Sequence, residues 1–192
     1  NYVGAGTIEF LVDGSGNYFF LEMNTRLQVE HPITEEVLGI DLVKEQIHIA
    51  NGRPLRLKQE DIVQRGHAIE CRICAEDTEA DFLPAPGIVK QITEPNGIGV
   101  RVDSYVYEGY EIPVFYDPMI GKLIVWATCR EYAIERMRRV LFEYKITGVK
   151  SNIAYLRRIM DTPDFVKGCY DTGFIANNSE FLLEGKPARE EA

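Results

Sequence analysis

A chain of 192 residues with 45% hydrophobic content can bury the core of one or two domains, and its composition is that of an ordinary globular protein. Lys and Arg total 21 against 30 Asp and Glu, and the net charge of -9 argues against nonspecific nucleic-acid binding and against attraction to anionic membranes. No apolar run approaches the roughly 18 residues of a membrane span, and the opening Asn1-Tyr2-Val3 has no signal-peptide pattern. Because that opening lacks Met and runs straight into a motif, the natural N-terminus is expected upstream.

Gly6 to Val12 reads as a strand, Asp13-Gly14-Ser15-Gly16-Asn17 as a turn, and Phe20 onward as a second strand, so a hairpin is predicted. At a period of two, Glu22, Asn24, Arg26, Gln28 and Glu30 share one face of that second strand, and Leu21, Met23, Leu27 and Val29 the other. Folding about Ser15 sets Glu9 opposite Leu21 or Glu22, and Glu22 is the favoured partner. Two carboxylates facing each other at ~5 Å, with an effective dielectric near ~20, repel by roughly 3 kcal/mol. A raised pKa, a neighbouring Arg or a hard cation could offset this, and Asn24 offers a third oxygen to a cation. The bland alternative is a solvated hairpin with an incidental acidic pair.

Thr34 is placed as the cap of a short helix that ends at Gly39, and Asp41 starts a second helix over Leu42 to Ala50, closed by Asn51-Gly52; both are read as core packing. A polar connector follows, with one helical turn near Gln59 to Val63 and a domain boundary close by, giving segments 1–64, 65–176 and 177–192. His67 to Ala75, Ile88 to Thr93, Val100 to Tyr107 and Leu123 to Thr128 read as strands of a small antiparallel sheet. Glu131 to Tyr144 is an amphipathic helix with Ala133, Ile134, Met137, Val140 and Leu141 inward, broken by Gly148. Ser151 is read as the cap of a further helix through Met160, and the stretch from Asn177 onward as a frayed polar tail.

Cys71-x-x-Cys74 does not suit zinc, because residues three apart on a strand point to opposite faces and no second Cys pair follows. Reduced thiols in an intracellular compartment are expected for Cys71, Cys74, Cys129 and Cys169. His31, His48 and His67 are scattered, and only His31 is given a part, shaping the end of the second strand.

Gly4 to Phe10, Phe20 to Glu35, Arg65 to Ile73, Phe82 to Gly87 and Tyr116 to Leu123 together closely resemble biotin carboxylase, the ATP-grasp component of biotin-dependent carboxylases, over roughly residues 1 to 176. The resemblance implies an α+β fold: the C-terminal part of an ATP-grasp domain, an antiparallel sheet with helices, continuing into a β-rich C-terminal subdomain with flanking helices. It implies ATP and Mg2+ or Mn2+ as cofactors and carrier-bound biotin as substrate. Glu9, Glu22 and Asn24 match the metal ligands, Arg26, Gln28 and the Val29 N–H the bicarbonate site, Glu30 the general base, and Arg72 the cation beside the biotin ureido oxygen. Arg101 matches a position near the family's dimer contact, while Asp117 and Lys122 lie in a family signature without an assigned step. Cys74 stands where the family pattern leads one to expect Asn, which bears on packing near Arg72.

Implied partners are a biotin carboxyl carrier, a carboxyltransferase and a second copy of the chain, in the cytoplasm or the mitochondrial matrix. The upstream lysines and glycine-rich lid of an ATP-grasp site do not precede Asn1, so the 192 residues alone are expected not to hydrolyse ATP. Two other readings stay open: another ATP-grasp ligase sharing the metal triad, and a dimerisation module without catalysis.

Overall fold

In the computed structural model, which describes residues 2–184, β1 (Thr7–Val12) and β2 (Tyr18–Asn24) form the predicted antiparallel hairpin. The turn closes through Asp13, whose carboxylate accepts from the N–H groups of Ser15 at 2.8 Å and Asn17 at 2.9 Å. Val12 pairs with Tyr18, Leu11 with Phe19 and Phe10 with Phe20. Continued unchanged, that register would set Glu9 opposite Leu21. A bulge between Glu9 and Phe10 instead leaves Leu21 over and pairs Glu9 with Glu22, then Thr7 with Asn24. Because side chains alternate, this one extra residue moves Glu22 and Asn24 onto the face of Glu9. Ile8, Phe10, Val12, Tyr18, Phe20 and Met23 share the other face, and all of them are exposed.

The first helix begins earlier than Thr34. α1 spans His31–Leu38 with Glu30 in the capping position, because Pro32 in the first turn has no N–H to leave unsatisfied and a φ already helical. Gly39 ends it in the left-handed conformation, φ 69°, donating its N–H to the Glu35 carbonyl. α2 (Leu42–Ala50) is capped as expected by Asp41, whose carboxylate accepts from the Lys44 N–H at 2.8 Å. The buried Glu35 side chain accepts the Leu42 N–H at 2.7 Å and so ties the two helices. The core reading of the helix pair holds only for α1, which buries Pro32, Glu35 and Val37. No residue of α2 is buried, and its Val43 and Ile47 are exposed. A 3-10 turn at Gln59–Asp61 follows, and the chain divides into two compact units between Arg65 and Gly66.

The second unit begins with β3 (His67–Cys74), followed by the short pair β4 (Glu76–Asp77) and β5 (Leu83–Pro84). The expected strand over Ile88 to Thr93 is two pieces, β6 (Gly87–Ile88) and β7 (Gln91–Thr93), because Val89 between them turns fully into the core. Then come β8 (Val100–Ser104), β9 (Glu111–Ile112) and β10 (Met119–Ala127). The main sheet is antiparallel in the order β3-β10-β8, with β3 at an edge; β6 pairs with β9 instead.

α3 (Arg130–Glu143) covers this sheet with the five apolar residues read from its periodicity, all buried. It ends at Glu143, with Tyr144 in the capping position well before Gly148, because Lys145–Thr147 forms a strand, β11, paired with β7. α4 (Ile153–Asp161) has Asn152, not Ser151, in the capping position. α5 (Pro163–Lys167), α6 (Phe174–Asn177) and α7 (Ser179–Glu184) follow. The stretch from Asn177 is therefore no frayed tail as far as residue 184: Leu182 is fully buried, and Arg158 donates to the carbonyls of Leu182 and Leu183 at 2.8 and 3.0 Å. The rest of that stretch, 185–192, lies outside the described residues. Helices and antiparallel strands give the α+β class.

Candidate active site

The hairpin register brings Glu9 and Glu22 to the same rung, and the amide of Asn24 stands between them. Its Nδ2 donates to Oε1 of Glu9 and to Oε1 of Glu22, both at 2.9 Å, and Gln28 Nε2 donates to the same Glu9 oxygen at 3.1 Å. Asn24 thus shows the acids its nitrogen, where a metal ligand would show oxygen. Between two carboxylates the amide nitrogen is the stabilising end to present, since a third oxygen would add to the repulsion. One carboxylate oxygen from each strand lies 2.9 Å from the Asn24 nitrogen, and hard oxygens of this kind are what Mg2+ takes. Among the described residues no three His, Cys, Asp or Glu side chains converge, so ligand or water oxygens would fill the remaining positions.

Beyond Asn24 the backbone departs from the extended row. β2 stops there, Arg26 sits at a bend and Val29-Glu30 form a turn into α1. The reason is again His31-Pro32. The His31 N–H and ring Nδ1 both reach the Gln28 carbonyl, at 3.3 and 2.7 Å, and the Ile33 N–H reaches Glu30 O at 3.1 Å, which turns the chain into the helix. His31 therefore shapes the turn into α1, whereas the strand it was expected to end has already stopped at Asn24. Arg26, exposed, donates to the Leu27 carbonyl at 3.2 Å, and Gln28 is drawn to Glu9. Direct hydrogen bonds join Glu9, Glu22, Asn24 and Gln28; Arg26, Val29 and Glu30 follow on the same short segment.

Arg72 belongs to the second unit, near the end of β3, with its side chain on the exposed face of the sheet. Lys122 of β10 is its cross-strand partner, and Asp103 of β8 lies on the far side of Lys122. Like charges directly opposite are unfavourable. Asp103 relieves this, holding Lys122 at 3.3 Å and Arg101 through two bonds of 2.8 and 2.9 Å. Burial works against the Asp103 carboxylate, but the bond to Arg101 and the charges of Arg101 and Lys122 prevail and hold it below its usual range. Asp117 accepts the Met119 N–H at 2.9 Å. Burial, then the charges of Glu76 and Asp117, push the Cys74 thiol up to about 12, against the pull of Arg72. Burial likewise pushes the Cys71 thiol up to about 12.

Two residues of this neighbourhood escape a reading of the sequence. Asp103 could have been found, since strand alternation sets it on the face of Arg101. Asn152 could not. Its side chain does not cap α4 but reaches β3: Oδ1 accepts the Cys74 N–H and Nδ2 donates to the Arg72 carbonyl, both at 3.0 Å.

Comparison with known proteins agrees with this architecture. Residues 70–177 match the biotin carboxylase C-terminal domain, and residues 1–58 match the ATP-binding domain of the carbamoyl-phosphate synthase L chain. The chain belongs to the biotin carboxylase C-terminal domain family. It is 57% identical over 175 residues, 91% of its length, to the biotin carboxylase of a Nostoc species, and covers 39% of that protein. Against the chloroplastic biotin carboxylase of Arabidopsis thaliana it is 53% identical over 183 residues, 95% of its length, covering 34% of that protein. The biotin carboxylase domain dimer of 2-oxoglutarate carboxylase from Hydrogenobacter thermophilus, solved with MgADP, ADP and bicarbonate, superposes with a TM-score of 0.91 at 47% identity. That match takes in 93% of this chain and 40% of the other. The biotin carboxylase component of pyruvate carboxylase also superposes at 0.91, with 46% identity over 98% of this chain and 41% of the other. The chain therefore spans less than half the length of the relatives it matches.

Proposed function

We propose that this chain is part of a biotin carboxylase, which uses ATP, bicarbonate and a divalent cation to carboxylate the ureido nitrogen of carrier-bound biotin. Residues 1–64 are assigned to the C-terminal part of the ATP-grasp domain and 65–176 to the biotin carboxylase C-terminal domain, which the polar stretch 177–192 follows. The observation that carries the reading is the cross-strand pairing of Glu9 with Glu22, both bonded to Asn24, reached only through the bulge at Leu21.

Mg2+ held by Glu9 and Glu22, with Asn24 turned to present its oxygen, would supply the charge that neutralises the triphosphate. Arg26, the Gln28 amide and the Val29 N–H hold bicarbonate, a flat anion suited to a guanidinium and planar donors. Glu30 takes the bicarbonate proton as the oxygen attacks the γ-phosphate and the bond to the β-phosphate breaks, releasing ADP. The carboxyphosphate so formed splits into CO2 and phosphate, the phosphate takes the ureido N–H proton, and the nitrogen bonds CO2 while Arg72 stabilises the negative charge that grows on the ureido oxygen. Arg101, fixed by Asp103, serves structure near a homodimer contact, in keeping with the dimer of the 2-oxoglutarate carboxylase domain. A carrier domain and a carboxyltransferase complete the cycle, in the cytoplasm or the mitochondrial matrix.

The test is Glu30→Gln in the full-length enzyme. Loss of a general base is worth roughly 10²- to 10⁴-fold in kcat, with circular dichroism unchanged. Biotin carboxylation at the wild-type rate would refute the assignment.

A further inference from the structure

We infer that Asn152 is a positioning residue for Arg72, its carboxamide standing in for a neighbouring strand along the edge of β3. The inference rests on the assignment of Arg72 to biotin carboxylation. β3 pairs with β10 on one side only. On an extended strand the carbonyl of Arg72 and the N–H and carbonyl of Cys74 point the same way, toward the open edge. Asn152 meets all three. Its Nδ2 donates to Arg72 O and its Oδ1 accepts from Cys74 N–H, each at 3.0 Å, and its own N–H donates to Cys74 O at 3.2 Å.

A primary amide carries a donor and an acceptor side by side, as a peptide group does, so among small side chains only Asn can complete both bonds from this position. Asn is also a favoured N-cap, yet here it makes no cap to α4. The bond a helix start would normally receive goes to the strand bearing Arg72. Asn152 is buried, so the clamp works away from water, where hydrogen bonds are stiff and costly to break. The arrangement fixes the backbone from Arg72 to Cys74 against α4, and with it the root of the Arg72 side chain.

N152D breaks one arm of the clamp, because it keeps the acceptor for the Cys74 amide and sets an oxygen, which cannot donate, against the Arg72 carbonyl. In the full-length enzyme it is expected to lower kcat for biotin carboxylation about tenfold, as small misplacements of a reacting group do. R72K alone should also be impaired, since Lys does not reproduce the guanidinium. Added to R72K, N152D should then cause no further loss, because it acts only through the geometry of Arg72. Should N152D fail to fold, N152S takes its place in the cycle. An impaired R72K together with a wild-type rate in N152D, or losses that multiply in the double variant, would overturn the role of Asn152 alone. A wild-type rate in R72K would remove the assignment of Arg72, and this inference with it.

Discussion

A single amide nitrogen separates Glu9 from Glu22, and its removal exposes the repulsion that the hairpin register creates. Asn24→Asp replaces that donor with a third carboxylate, at a cost bounded by roughly 3 kcal/mol per close pair near the surface. In the full-length protein the variant should unfold at lower temperature than wild type in EDTA, and gain more than wild type on adding Mg2+. Thermal shift with and without Mg2+ reads both, and an equal response of the two proteins would argue against a cation at this point. The acidic face was legible in the alternation of Glu22, Asn24 and their neighbours. The bulge that makes it one face with Glu9 was not, since either register satisfies the turn chemistry of Asp13 to Asn17. Residue type shows what can bind, and register shows which residues can bind together.

Elements in the second unit are held by α3, and Met137, fully buried at its centre, is the place to probe it. Met137→Ala should cost about 2–5 kcal/mol in urea unfolding, the range for emptying a core site. The start of α3 also carries a pH-sensitive contact: Arg130 donates to His67 Nε2 at 3.2 Å. Burial first, then the charge of Arg130, lower the His67 pKa from its ordinary 6.5, against a smaller pull from Glu131. Folding thus favours the neutral ring. Its contribution is whole above pH 6.5 and is lost as pH falls through the lower folded value. His67→Gln should flatten the melting temperature between about pH 6.5 and 5, the interval in which an unperturbed imidazole gains its proton. The periodicity of α3 revealed its buried face directly. The division of the strand at Val89 and the presence of β11 were hidden, because a two- or three-residue strand forms only where a partner already waits.

At the scale of the whole molecule, the hairpin presents six large apolar residues on one exposed face, among them Phe20 at 66% and Tyr18 at 73% exposure. Patches of this kind bind other apolar surfaces. The 192-residue chain by itself should therefore enhance the fluorescence of a hydrophobic dye, and replacing Phe10 and Phe20 together by Thr should reduce that signal. The same chain should show no biotin-dependent ATP turnover, because it spans under half of its relatives' length and carries no Lys-bearing phosphate loop. A steady release of phosphate dependent on biotin would contradict this.

Composition, periodicity and family resemblance sufficed for the α+β class, the face of α3 and the identity of the candidate ligands, because each rests on residue type and local spacing. Tertiary structure alone decided two things. It paired Glu9 with Glu22 through a bulge, and it spent the amide of Asn152 on a strand some 80 residues earlier. Both are choices between local conformations that the chain satisfies about equally well, and contacts with residues remote in sequence supply the difference in free energy.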